Sequence, residues 1–152
     1  MAVIPVVVWQ LVRDEQGHDF ILLRDEQERL LSIAIGVCEA ASIMVRLSPS
    51  LSQYLPRRPL SHDLMQAVLD RRQAKLDKVV IDNMVNGTYY ATLYLTAPGG
   101  EELIDARPSD AIALLVRMGA PLFVDGEIMD EHAFFPGQNE DEGEQYFGDG
   151  FI

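Results

Sequence analysis

The run LDKVVIDNMV, the pair Asn86-Gly87 and the run TYYATLYLT constrain this chain more than any other feature (residues 76–96). Both runs are rich in β-branched and aromatic residues, and they are joined by only two residues. Asn-Gly readily accepts positive φ at both central positions of a type I′ turn, whose twist matches that of paired strands. The chain therefore contains an antiparallel hairpin, and the remaining elements must be arranged around a sheet.

Further strands follow from composition and spacing. VIPVVVWQLV (3–12) reads as one strand, and HDFILLRD and RLLSIAI as two more around the polar turn DEQE. EELIDA after the turn APGG, and PLFVD near residue 123, are shorter ones. From Gly36 the period changes to that of a helix, with Val37, Ala40, Ala41, Met44 and Leu47 on one face. Glu39, Ser42 and Arg46 fall on another, so Glu39 is expected to be solvated and Cys38 to be a small buried hydrophobe. SPSLSQYLPRRP reads as a loop, and SHDLMQAVLDRRQAK as a helix with Ser61 as N-cap and Asp63 in the first turn. In ARPSDAIALLVRMGAP, Pro108 opens a helix, Ser109 and Asp110 are expected to cap it, and Gly119 with Pro121 stops it. AIALLV is apolar all round, so this helix should be buried. EIMDEHAF is expected to supply one helical turn. Strands and helices do not alternate strictly. The expected fold is α+β: one compact domain over residues 1–135, a mixed, mostly antiparallel sheet packed with about three helices.

Charge divides the chain differently. It carries 12 basic against 24 acidic residues, a net charge of −12. Residues 125–152 contain nine of the acids and no Lys or Arg, and 136–152 are expected to form a mobile acidic tail. Between Tyr54 and Val80 the balance reverses: Arg57, Arg58, Arg71, Arg72, Lys75 and Lys78 outnumber Asp63, Asp70 and Asp77. Nucleic-acid binding usually relies on clustered basic residues, so the net charge disfavours it and the window supplies the one candidate patch. A single cysteine excludes an internal disulfide. No apolar run approaches the length of a membrane span, and the N-terminus reads as a strand rather than a signal peptide, so a cytoplasmic protein is expected.

The phosphate-loop, dinucleotide, zincin and nucleophile-elbow signatures are absent, and His18, His62 and His132 have no ligand spacing. A serine or cysteine nucleophile needs a neighbouring base, and none is apparent along the sequence. Polar groups instead collect at three helix starts. Arg107, Ser109 and Asp110 combine free N–H groups with a guanidinium suited to phosphate, although an Arg107–Asp110 pair at i,i+3 explains two of them structurally. Arg57, Arg58, His62 and Asp63 offer cations, an acid/base and a carboxylate, or simply a capped helix behind a solvated basic loop. Glu39 is a weaker third carboxylate.

IAIGVCEAASI, RRPLSHDL, DKVVIDNMVNGTYYATL and IDARPSDAIALLVRMGAPLFV, in this order, resemble the bifunctional nuclease domain family over about residues 3–134. The resemblance implies a compact α+β domain that tends to homodimerise. It also implies a nuclease, plant members being described as acting on RNA and DNA. The positions matching the family's polar motifs are Glu39, Arg58, His62, Asp63, Arg107, Ser109 and Asp110, with Ser61 where threonine is usual. On that reading Arg58, Arg107 and Ser109 bind substrate phosphate. His62 acts as acid/base with Glu39 in support, and Asp63 and Asp110 are candidates to hold Mg²⁺ or Mn²⁺. A non-catalytic binding or scaffold module, with the same residues as caps and ion pairs, is the alternative.

Overall fold

The computed structural model describes residues 2–48, 50, 53 and 58–137. The described elements run β1 (Val3–Arg13), β2 (Asp19–Asp25), β3 (Leu30–Ile35), α1 (Val37–Leu47), α2 (Ser61–Arg71), β4 (Lys75–Val85), β5 (Thr88–Ala97), β6 (Gly100–Ala106), α3 (Pro108–Met118), β7 (Leu122–Asp125) and α4 (Gly126–His132). One sheet of seven strands has the order β3-β2-β1-β7-β4-β5-β6. Only β4 and β7 pair in parallel; the other pairings are antiparallel. The fold is α+β, with four described helices rather than about three, because EIMDEHAF closes into α4. Most of the loop expected over 48–59 and the acidic segment from Gln138 onward lie outside the described residues.

The hairpin forms as its turn chemistry requires. Val85 pairs with Thr88, and Asn86 and Gly87 take φ of 51° and 77°. Residues facing the helices build the main core: Ile21, Leu23, Leu31, Val79, Ile81 and Val124 pack with Ile112 of α3. Alternate residues project the other way, where Val12, Leu22 and Leu30 form a smaller cluster covered by Trp9, Phe20 and Phe134. Asp25, 5% exposed, holds the turn between β2 and β3 by accepting from the N–H groups of Gln27 and Arg29 and from Arg29 Nε.

Helix α3 is the pivot. Ala111, Ile112, Ala113, Leu114 and Leu115 are all buried, and the helix packs on α1, α2, β4 and β5. It ends at Gly119 in the left-handed conformation, φ 71°. Its N-cap is Arg107 and no side chain caps it, so Ser109 and Asp110 lie within the first turn instead of capping it. Helix α2 likewise starts one residue before expectation. Leu60 is its N-cap, and Asp63 reaches back to accept from the Leu60 N–H at 2.8 Å, which makes Ser61 the first helical residue. Helix α1 packs Ala40, Met44 and Leu47 of its apolar stripe on the core but also buries Ser42 and Ile43, while Val37 and Ala41 of the stripe are exposed, as is Cys38. The buried Ser42 belongs to the site.

Candidate active site

The first turns of α1, α2 and α3 meet at one cavity of about 560 Å³, lined by Glu39, Ser42, His62, Arg107 and Asp110 among others. Three helix starts that are far apart in sequence therefore share one mouth, and each brings a carboxylate in its first turn, Glu39, Asp63 and Asp110. A carboxylate there is favourable because it faces the positive end of the helix dipole.

Arg107 is the cation at the mouth, its side chain 63% exposed. Its Nε donates to Asp110 Oδ2 and its Nη2 to Glu39 Oε1, both at 2.8 Å. Hydrogen bonding to Asp110 and then Glu39 pushes the guanidinium further up, and the bond from Arg107 holds Glu39 below the usual carboxylate range. Glu39 is thus paired rather than solvated. Its position depends on Gly36, the N-cap of α1: a β-carbon there would overlap Glu39 Oε2. Arg107 keeps N–H groups on its remaining nitrogen, Nη1, without a partner among the described residues.

Behind Arg107 lies a hydrogen-bonded chain. Asp110 Oδ1 is 2.9 Å from His62 Nε2, and His62 Nδ1 is 2.7 Å from Ser42 Oγ. Ser42 Oγ accepts from Arg117 Nη2 at 3.0 Å. Arg117, its side chain fully enclosed, also donates through Nε to Asp63 Oδ1 and through Nη1 to the Ala113 carbonyl. Arg46 Nη2 reaches the same Asp63 oxygen at 2.6 Å. Burial alone would raise the Asp63 and Asp110 carboxyls. For Asp63 the donors Arg117, Arg46 and the Leu60 N–H outweigh burial, for Asp110 Arg107 and His62 do, and both stay below the ordinary range. Ser42 is buried on α1 with both its partners on other helices, which satisfies a polar group on the packed face.

The expected site residues separate into those that face the cavity and those that do not. Glu39, His62, Arg107 and Asp110 face it together. Asp63 sits one layer behind, between Arg46 and Arg117. Ser109 is 6% exposed inside α3, and Arg58 is exposed before the start of α2. Arg71 and Arg72 close the same helix, about 16 Å from its start at 1.5 Å per residue, so they stand apart from Arg58. Ser42 and Arg117 had no signal in the sequence. The base that Ser42 faces is 20 residues away and becomes its neighbour only when α1 and α2 pack beside α3.

The sequence also has relatives among known proteins. The bifunctional nuclease domain pattern matches residues 21–136. The chain belongs to the bifunctional nuclease domain family. An uncharacterised protein of Mycobacterium tuberculosis is 33% identical over 124 residues, 81% of this chain and 71% of that protein. Bifunctional nuclease 1 of Oryza sativa subsp. japonica is 33% identical over 120 residues, and Bifunctional nuclease 2 of Arabidopsis thaliana 29% over 110. These alignments cover 77% and 70% of this chain, but only 36% and 33% of the plant proteins. The chain therefore spans about a third of the plant relatives.

In this bifunctional nuclease domain the candidate metal ligands do not fit a shared divalent ion. Asp63 Oδ1 faces two guanidinium groups and Oδ2 a backbone N–H; the oxygens of Asp110 face His62 and Arg107. Among the described residues no three His, Cys, Asp or Glu side chains gather as a metal site. Between Glu39 and Asp110, the place a cation would occupy is held by Arg107 itself. Chemically, the arrangement offers an exposed guanidinium with unspent donors beside a histidine whose Nε2 is held by a carboxylate.

Proposed function

We propose that this domain is a nuclease that hydrolyses phosphodiester bonds of RNA or DNA. The observation that carries the reading is the convergence of Arg107, His62 and Asp110 on one cavity with Arg107 at its mouth. Phosphodiester hydrolysis requires a cation for the non-bridging oxygens and a group that moves a proton to the leaving oxygen. Arg107 fills the first role with the donors that Asp110 and Glu39 leave free. His62 fills the second, its ring held through Nε2 by Asp110. Glu39 fixes Arg107 from the opposite side. Because the carboxylates are occupied by cationic side chains and N–H groups, no step is assigned to Mg²⁺ or Mn²⁺. Membership of the family and the names of the plant relatives support the same activity.

The test is cleavage of labelled single-stranded RNA and DNA by purified protein, with Mg²⁺, Mn²⁺ or EDTA. Cutting is expected to survive EDTA and to fall about 100-fold in Arg107→Ala, the scale of losing one donor to a developing oxyanion. Asp110→Asn, purified identically, should lose at least as much. Cutting abolished by EDTA would overturn the metal-free reading. Equal cutting by wild type and both variants would place the activity elsewhere or in a contaminant.

One observation favours a second reading. Each cavity-facing carboxylate already has a partner inside the molecule, as it would if the network only tied α1, α2 and α3 together. In that case the domain is a binding or scaffold module, and no cutting occurs under any condition. A homodimer is proposed under either reading. Leu64, Met65 and Val68 of α2 and Leu103 and Ile104 of the edge strand β6 are exposed apolar surface available to it.

A further inference from the structure

We infer that Ser42 is a nucleophile, and that the proposed hydrolysis passes through a covalent phosphoseryl intermediate. The inference rests on the nuclease reading for its substrate but on separate geometry for its chemistry. A serine becomes nucleophilic when a base lies within hydrogen-bond reach and a third group orients that base. Ser42 Oγ is 2.7 Å from His62 Nδ1, and His62 Nε2 is 2.9 Å from Asp110 Oδ1. Ser42, His62 and Asp110 all line the same cavity as Arg107.

The direction of each hydrogen bond is consistent along the chain. Arg117 has no acceptor atoms, so its Nη2 donates to Ser42 Oγ. In the tautomer this inference requires, the Ser42 hydroxyl donates to His62 Nδ1 and His62 Nε2–H donates to Asp110. Asp110 in turn is held by Arg107 Nε at 2.8 Å. The tautomer is the reverse of that in serine proteases, where Nε2 faces the serine, but the order of roles is the same. A merely structural serine on a helix would be expected to hydrogen-bond locally. This one connects three helices and is placed between a buried guanidinium and an imidazole.

The reaction balances without an added oxidant or metal. Ser42 Oγ attacks phosphorus as its proton passes to His62 Nδ1, and the P–O bond to the leaving nucleoside breaks. Nδ1 keeps that proton while the departing oxygen, in line with Oγ on the far side of phosphorus, takes one from water, leaving a free hydroxyl on one fragment and the other esterified to Ser42. A water molecule then attacks phosphorus from the face opposite Oγ and releases its proton to solvent, while Nδ1–H donates to Oγ. The Ser42–phosphorus ester breaks, the proton passes to Ser42 Oγ, and serine is regenerated with a phosphate end on the second fragment. Arg107 neutralises the non-bridging oxygens in both halves. Arg117 stabilises developing negative charge on Oγ through the bond it already makes.

The test is reaction with a biotinylated fluorophosphonate, which loses fluoride when a serine activated by a histidine attacks its phosphorus. One probe per chain is expected, mapped by mass spectrometry to the peptide that carries Ser42. Asp110→Asn should slow labelling at least tenfold, and Ser42→Ala should remove it. Because the site is mapped in the unaltered chain, the result does not depend on how well a variant folds. An unlabelled Ser42 in folded protein under excess probe would overturn the inference, as would labelling at Ser42 only after denaturation. Cleavage measured in parallel separates the two readings. Cutting that persists in a folded Ser42→Ala variant retains the nuclease and removes the nucleophile. Labelled Ser42 without cutting of RNA or DNA retains the nucleophile and removes the nuclease.

Discussion

Asp63 shows how a residue matched to a family motif can matter without facing the site. It binds Arg117, a guanidinium with no solvent exposure, together with Arg46 and the Leu60 N–H. Removing one partner of a buried ion pair leaves a desolvated charge, which costs about 3–5 kcal/mol. Asp63→Asn keeps the shape and is expected near the lower end, about 3 kcal/mol, read by chemical denaturation. The pH dependence has a definite sign. Asp63 is held below its ordinary value of 3.8, so its contribution is complete above that value and is lost as the pH falls through the folded one. Stability of the wild type should therefore decline with acid below about pH 4, and this part of the decline should be missing in Asp63→Asn. An unchanged acid limb in the variant would show that Asp63 is not the group responsible.

At the level of elements, the sequence was informative wherever one period dominates. The strands and the buried α3 follow from composition, the Asn86-Gly87 turn and the apolar run AIALLV. Helix α1 packs Ala40, Met44 and Leu47 of its apolar stripe on the core but also buries Ser42, which meets His62 and Arg117 in contacts that no local pattern contains. For the same reason the chain order shows Glu39, His62 and Arg107 as three separate motifs, while the packing of three helices makes them one site. The end of α3 offers a clean check of local chemistry. Gly119 has φ 71°, and a β-carbon there would meet nothing within 4 Å. Gly119→Ala should therefore cost only the left-handed backbone penalty, about 1 kcal/mol, or roughly 2–4 °C in Tm for a chain of this size. A loss several times larger would mean that the turn into β7 depends on Gly119 for more than its conformation.

For the whole molecule the decisive quantity is charge. A net charge of −12 repels a polyanion at distances where the cavity is not yet felt, and the repulsion weakens once the Debye length falls to about 10 Å near 0.1 M salt. Glu140, Asp141, Glu142, Glu144 and Asp149 all lie in the segment after Gly137, so deleting residues 138–152 changes the net charge to −7. If the domain acts on nucleic acid, that deletion should tighten RNA binding several-fold at low ionic strength and make little difference near 0.5 M salt, where charges are screened beyond about 4 Å. The comparison also separates two roles for the acidic segment. A general charge effect is reproduced when the five acids are replaced by Asn and Gln and is spread evenly over RNA length. A segment that covers Arg107 in cis as a phosphate mimic would weaken binding of a single phosphate as well, so inorganic phosphate should protect Arg107 from a dicarbonyl reagent more strongly after the deletion. Equal affinity for RNA at low salt, with and without the segment, would remove both roles and leave the acidity to solubility alone.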